Sequence, residues 1–138
     1  MNKPNYKEIV ENLIDTFLKA GKISLELRKK GLIKKMKADN TPVSNGDLEV
    51  NKIITKKILQ LTPNIPIVSE ETSENKSSGN LNNFWLVDPI DGTYDYMNNL
   101  EEFTINAGLI IKKKPVAGLI YAPAKDRMFY SYGENFAY

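Results

Sequence analysis

Apolar side chains recur at three- and four-residue intervals in two long stretches of the chain. In residues 5–28 the repeated positions are Ile9, Val10, Leu13, Ile14, Phe17 and Leu18. In residues 45–61 they are Leu48, Ile53, Ile54, Ile58 and Leu61. This spacing gathers apolar side chains on one side of an α-helix, so both stretches are predicted to be amphipathic helices.

Most of the remaining chain consists of short apolar runs that are typical of β-strands. The runs IPIVSEE and FWLVD each end in acidic residues, and FTINAGLII, KPVAGLIYAPA and RMFYSY follow them, separated by KKK and AKD. β-rich runs with short polar breaks predict an antiparallel meander. Helices followed by strands predict an α+β fold, in which residues 1–138 form a single domain with two helices and a mainly antiparallel sheet.

The segments between these elements are rich in turn-forming residues. LIKKMK predicts a short strand, whereas DNTPVSNGD and TSENKSSGNLNN are predicted to be loops. Ser44 and Asp47 have the spacing of a helix-capping pair, which places Asp47 in the first turn of the second helix. Gly21 interrupts the first helix, where a small residue permits close packing.

Composition narrows the chemistry that the chain can perform. The 138 residues contain no histidine and no cysteine, and the net charge is only +2. Histidine-based catalysis, thiol chemistry and the usual zinc sites are therefore excluded, and nothing favours nucleic acid as a partner. No segment has the layout of a signal peptide or the length of a membrane span, so a cytoplasmic protein without membrane insertion is expected.

Three groups of carboxylates stand out: Asp47, the pair Glu70–Glu71, and the pair Asp88–Asp91 in DPIDGT. An all-oxygen site of this kind suits Mg²⁺ or Mn²⁺. Pro89 and Gly92 favour a turn that directs Asp88 and Asp91 into one space, where the Ile90 carbonyl is a further ligand. Gly92 and Thr93 would offer N–H groups and a hydroxyl to a phosphate, as expected of a metal-assisted phosphate ester hydrolase.

Simpler interpretations of the same residues remain open. A DxxDG segment is also a common surface turn, and Glu70–Glu71 is compatible with a solvated pair. Asp47 is also compatible with a charge at the start of a helix whose role is to interact with the helix dipole. Tyr94 and Tyr96 are interpreted as packing residues.

Several spaced motifs together resemble the inositol monophosphatase superfamily of Mg²⁺-dependent, lithium-sensitive phosphatases. WLVDPIDGT resembles the DPxDGT signature, SEE at 69–71 the upstream glutamate motif, and KADNTPVSNGD the segment that precedes the second helix. EFTINAGLI and GLIYAPAKDRMFY continue the likeness. Within the superfamily the chain looks most like the 3′(2′),5′-bisphosphate nucleotidases. The expected fold is accordingly the N-terminal half of an αβ sandwich.

The resemblance implies a role for each matching residue. Glu70, Asp88, the Ile90 carbonyl and Asp91 would bind metal, and Glu70, Ile90, Asp91, Gly92 and Thr93 would contact the substrate. Asp47 and Thr93 would activate the attacking water. The implied cofactor is Mg²⁺, with Mn²⁺ as an alternative and Li⁺ as an inhibitor. The implied substrate is adenosine 3′,5′-bisphosphate, a small phosphorylated nucleotide that would give AMP and phosphate.

Two departures from the family pattern shape the expectations. After DGT the bacterial nucleotidases carry lysine, an acid and an aromatic residue, whereas this chain has Tyr94, Asp95 and Tyr96. The family's later W-D-x-A-A-G motif has no counterpart in these residues. We therefore expect a weakened second metal site, little activity from this chain alone, and a homodimer that covers an exposed sheet face.

Other functions stay open at this point. An inositol monophosphatase or a sugar bisphosphatase would use the same metal chemistry. A non-catalytic module that binds metal or nucleotide would keep the residues without turnover.

Overall fold

Two long helices and seven strands form the framework of the part of the chain that the structure describes. The computed structural model describes residues 5–38, 41–69, 82–133 and 137–138. The helices are α1 (Tyr6–Lys30), α2 (Asn45–Leu61) and α3 (Thr93–Met97), with a 3₁₀ turn at Pro123–Lys125. The strands are β1 (Lys34–Met36), β2 (Pro42–Ser44), β3 (Ile67–Ser69), β4 (Phe84–Asp91), β5 (Thr104–Ile111), β6 (Lys114–Ala122) and β7 (Arg127–Ser131). The two long helices lie where the apolar periodicity predicts them. β2 forms within a predicted loop, and α3 is an element that the sequence did not predict.

Five strands form one sheet in chain order, β3-β4-β5-β6-β7. The pairs from β4 to β7 are antiparallel, which confirms the predicted meander, whereas β3 runs parallel to β4. β1 and β2 form a separate antiparallel pair. The architecture confirms the predicted α+β fold and adds a third helix.

The helices cover one face of the five-stranded sheet, with α1 against β6 and α2 against β4. Gly21 lets α1 approach closely, since a Cβ atom there would lie 3.0 Å from Tyr121 Cδ2 and 3.1 Å from Pro123 Cγ. Close packing at this glycine is therefore confirmed. The prediction for Leu48 is wrong: it is 46% exposed, because Asp47 and Val50 are the inward-facing residues of that turn.

The opposite face of the sheet carries no helix in the part of the chain that the structure describes. Leu86, Ile120 and Phe129 on this face are each about half exposed, at 49%, 48% and 51%. We call the face with Leu86, Ile120 and Phe129 the open face, and the one that the helices cover the covered face.

No described helix is both long and apolar enough to cross a membrane.

A bulge near the end of β4 changes which face its residues present. Asp88 pairs with Asn106 and Asp91 with Thr104, so three steps along β4 match two along β5. Pro89 lies inside the bulge, where its missing N–H breaks no regular ladder bond. In a regular strand residues three apart point to opposite faces. The extra residue corrects this parity, so Asp88 and Asp91 both border the open face.

Candidate active site

Asp47 is fully buried in the first turn of α2 and is held by the residue that caps the helix. Its Oδ2 accepts hydrogen bonds from the Ser44 backbone N–H at 3.0 Å and from the Ser44 hydroxyl. Ser44 Oγ in turn accepts from the Asp47 N–H at 3.3 Å. The capping interaction predicted from the sequence is therefore present, and it leaves Oδ1 facing away from Ser44.

Thr93 begins α3 and reaches the other oxygen of Asp47. Its Oγ1 lies 3.0 Å from Asp47 Oδ1 and 3.3 Å from the Ile90 carbonyl oxygen. A hydroxyl has one proton to donate, so the two acceptors compete for it, and the shorter distance favours Asp47. The fold thus joins two residues that are far apart in the chain into a carboxylate–hydroxyl pair.

Gly92 makes the turn between β4 and α3. Its φ of +86° lies in the left-handed region, and a Cβ atom would come 2.8 Å from the Glu102 carbonyl oxygen. Both the backbone conformation and the lack of space demand glycine. The chain turns at Gly92, which directs it from Asp91 to Thr93. The predicted contribution of Pro89 to this turn is wrong, because Pro89 lies within β4, at the bulge.

Asp88 and Asp91 border one open cavity of about 970 Å³ on the open face. Asp88 is half-buried and Asp91 is exposed. The Ile90 side chain between them is buried at 3% exposure and points to the covered face, while its carbonyl oxygen lies near Thr93. The two carboxylates are therefore brought to one space, as the sequence predicts.

Glu70 lies outside the described residues, as does Glu71. β3 ends at Ser69, which is the register partner of Val87 in a parallel pair. The chain consequently leaves β3 next to the strand position that precedes Asp88. Ser69 itself donates a hydrogen bond to Asn51 Oδ1, which ties the end of β3 to α2.

The donor set fits a hard divalent cation. Asp88, Asp91 and the Ile90 carbonyl offer oxygen atoms only, which is the ligand chemistry that Mg²⁺ prefers. Among the described residues, no three acidic side chains cluster closely enough to hold a metal by themselves. A third carboxylate would be needed, and the sequence predicts that Glu70 provides it.

A second cavity of about 360 Å³ adjoins Asp91 and Gly92 on the side of the 3₁₀ turn. Its wall includes Lys125 and Arg127, and Lys125 Nζ lies 2.6 Å from Glu102 Oε1. The sequence predicted no role for these cations, because they lie far from the motif in the chain.

The structure corrects the interpretation of one tyrosine and extends that of another. Tyr94 is 70% exposed and is not a packing residue, whereas Tyr96 is fully buried. Burial raises the pKa of the Tyr96 hydroxyl, the Asp47 carboxylate raises it further, and Arg28 lowers it. Tyr96 therefore stays protonated and donates to the Ser24 carbonyl oxygen at 2.7 Å.

Comparison with protein families gives a match over nearly the whole chain. The sequence model described as "Inositol monophosphatase family" matches residues 5–137. The 3′(2′),5′-bisphosphate nucleotidase CysQ of Buchnera aphidicola is 43% identical over 100 residues, which cover 72% of this chain and 38% of that protein. The CysQ of Haemophilus influenzae is 35% identical over 114 residues, covering 81% of this chain and 42% of that one.

Solved structures show the same relation. The crystal structure of CysQ from Bacteroides thetaiotaomicron is similar to this chain at 28% sequence identity and a TM-score of 0.70. The match covers 99% of this chain and 50% of the CysQ chain. A Staphylococcal inositol monophosphatase soaked in LiCl has the same fold at 17% identity and a TM-score of 0.86, with 99% and 52% coverage. The chain spans less than half the length of the curated relatives described above.

Proposed function

This chain belongs to the inositol monophosphatase family, and from that premise we propose that it supplies the metal-binding and water-activating side of a Mg²⁺-dependent phosphomonoesterase. The observation that carries the proposal is the Thr93–Asp47 hydrogen bond of 3.0 Å, next in the chain to the β4 segment whose Asp88 and Asp91 border one cavity. Such a pair next to an oxygen-only cation site suits hydrolysis of a phosphate ester by water.

The metal ligands in this proposal are Glu70, Asp88, the Ile90 carbonyl and Asp91. When bound, Mg²⁺ neutralises charge on the phosphate and stabilises the entering and leaving oxygens. Asp88 and Asp91 border the same cavity, and a cation held there would offset the negative charge of both carboxylates. Mn²⁺ would serve as an alternative, and inhibition by Li⁺ is carried over from the family.

Asp47 and Thr93 would move the proton of the attacking water. Ser44 holds Asp47 Oδ2, so Oδ1 is the oxygen that accepts the Thr93 proton. As Thr93 Oγ1 gives up that proton, it takes one from the water, whose oxygen then attacks phosphorus. The bond from phosphorus to the ester oxygen breaks, and that oxygen leaves as a hydroxyl by taking a proton from solvent water, while Asp47 later returns its proton to solvent. Asp91, Gly92 and Thr93 would hold the phosphate.

The substrate proposed is adenosine 3′,5′-bisphosphate, which would lose its 3′-phosphate to give AMP. Support comes from the names of the curated relatives, which are bisphosphate nucleotidases at 33–43% identity. Because the chain corresponds to less than half of those proteins, the 138 residues by themselves are expected to turn over little substrate. Comparing this substrate with an inositol phosphate and a sugar bisphosphate would test the choice.

Two further expectations remain predictions. A homodimer through the open face would shield Leu86, Ile120 and Phe129 from water. The cytoplasmic location expected from the sequence stays a prediction as well.

Calorimetric titration of the purified chain with Mg²⁺ and Mn²⁺ tests the proposal directly. We expect saturable binding that is lost in Asp88→Asn and weakened in Asp91→Asn. A phosphate-release assay on adenosine 3′,5′-bisphosphate in the same samples is expected to show little turnover. Binding without turnover in a full-length relative carrying the same residues would favour the non-catalytic module instead.

Asp15→Asn is the matched control for these titrations. Asp15 is an exposed carboxylate on α1, so its loss changes the net charge equally without touching the turn after β4. Equal metal affinity in the unmodified chain, Asp88→Asn and Asp15→Asn would contradict the proposed metal site.

A further inference from the structure

The short helix α3 places the Thr93 hydroxyl, but it has little means of holding itself in position. It contains five residues, and Gly92 before it provides no side-chain cap. Helices of this length do not persist in water without tertiary contacts. The orientation of Thr93 must therefore come from side chains that tie α3 to the rest of the fold.

Tyr96 ties α3 to α1. Its side chain is fully buried, and its hydroxyl donates to the Ser24 carbonyl oxygen at 2.7 Å. Its ring lies 4.9 Å from the Phe103 ring, measured between centroids. Since Tyr96 is three residues after Thr93, both lie close together along the same helical side.

The same ring also touches α2 immediately beside Asp47. A Cβ atom at Gly46 would lie 2.7 Å from Cε2 and Cζ of Tyr96, so the ring occupies the space that any side chain at position 46 would need. The contact lies one residue from Asp47 and three from Thr93. It thus fixes the distance between the two residues of the carboxylate–hydroxyl pair.

Arg28 fastens the other end of α3. Its guanidinium donates to the Leu100 carbonyl oxygen at 2.7 Å and to the Tyr96 carbonyl oxygen at 3.4 Å. It lies 5.6 Å from the centroid of the Tyr96 ring and 5.0 Å from that of Phe103. A cation that binds carbonyl groups at a helix C-terminus stabilises that end of the helix.

We propose that Arg28 and Tyr96 are positioning residues that hold α3 so that the Thr93 hydroxyl donates to Asp47. Neither side chain touches the cavity lined by Asp88 and Asp91. Their effect on hydrolysis rests on the proposed function, because it acts through Thr93. Their effect on the geometry of Thr93 does not.

The test measures the side-chain rotamer of Thr93 by NMR, from the three-bond couplings of its Cγ2 carbon. The unmodified chain is expected to show one rotamer. In Arg28→Ala and Tyr96→Phe we expect averaging, with an approximately five-fold shift of the rotamer populations per lost hydrogen bond. Arg28→Lys keeps the charge and is expected to restore part of the single-rotamer signal.

Tyr94→Phe is the matched control, because Tyr94 lies on the same helix and is exposed. Its Thr93 couplings are expected to equal those of the unmodified chain. If Arg28→Ala does not fold, the same couplings in Arg28→Lys and Tyr96→Phe decide the question.

An unchanged Thr93 rotamer in folded Arg28 and Tyr96 variants of lower stability would overturn the proposal, since their role would then be only structural. Averaging already present in the unmodified chain would overturn it as well. Mg²⁺ added to the same samples separates the two proposals. If the amide signals of Asp88 and Asp91 do not move, the metal site fails while the Thr93 result stands.

Discussion

Neighbouring residues of β4 have opposite surroundings on the two faces of the sheet. Trp85 is fully buried beneath the helices and donates from Nε1 to Thr62 Oγ1 at 3.0 Å, whereas Leu86 is about half exposed on the open face. The covered face therefore contributes most of the apolar burial that stabilises the fold. The open face carries Asp88 and Asp91. The apolar core and the candidate metal ligands thus lie on different faces of the sheet, and the bulge at Pro89 puts Asp91 on the open face.

Trp85→Ala should have the largest effect on stability. Removing a fully buried indole leaves a large cavity and a lost hydrogen bond, which together cost about 3–5 kcal/mol of unfolding free energy. Urea denaturation followed by circular dichroism measures it. Leu86→Ala is the matched control and is expected to cost about 1 kcal/mol or less. Equal losses in the two variants would show that the faces do not differ as described.

Gly92→Ala tests the turn that joins β4 to α3. The positive φ and the 2.8 Å approach to the Glu102 carbonyl should make it cost about 1–3 kcal/mol. Gly108→Ala is the control, because a Cβ atom there has no neighbour within 4 Å on the open face. Its unfolding free energy should change by no more than about 0.5 kcal/mol. A neutral Gly92→Ala would argue against a strained turn.

Tyr96 should make stability depend on pH in the alkaline range. Its pKa is raised in the folded chain by burial and by Asp47, so above about pH 10 the unfolded chain releases this proton while the folded chain keeps it. The contribution is fully present below pH 10 and is lost as pH rises, by about 1.4 kcal/mol per unit. Denaturation at several pH values should show a shallower loss in Tyr96→Phe. The pKa of Tyr121 and Tyr132 is raised too, so part of the slope remains. The same slope in Tyr96→Phe and Tyr94→Phe would contradict the assignment.

Phe129→Ser should have the smallest effect on stability, because the side chain is half exposed on the open face. The unfolding free energy is expected to change by about 0.5 kcal/mol. Light scattering at high concentration should instead show less self-association than in the unmodified chain. Lys22→Ser, on the exposed side of α1, should leave the association state unchanged. A clean monomer of the unmodified chain would contradict the predicted homodimer.

The secondary structure followed closely from local patterns. The periodicity of apolar residues predicts α2 over residues 45–61, where the structure has it, and α1 to within two residues of each end. The β-meander follows from short apolar runs with polar breaks, because strand formation there depends on neighbours in the chain. By contrast, α3 has no apolar repeat of its own and depends on contacts with residues outside it, such as that of Tyr96 with Ser24 and that of Arg28 with Leu100. These contacts join residues far apart in the chain, so the DPIDGTYDYM segment alone does not predict the helix.

The sequence by itself determined the α+β fold, the family and the identity of the acidic candidates. It did so because composition and motif spacing are properties of the chain alone. Only the tertiary structure decided that Asp47 is buried against Ser44, that Thr93 lies 3.0 Å from it, and that the β4 bulge puts Asp88 and Asp91 on one face. These facts depend on how α2, α3 and the sheet pack together. That packing is set by contacts between residues far apart in the sequence, such as Gly46 with Tyr96.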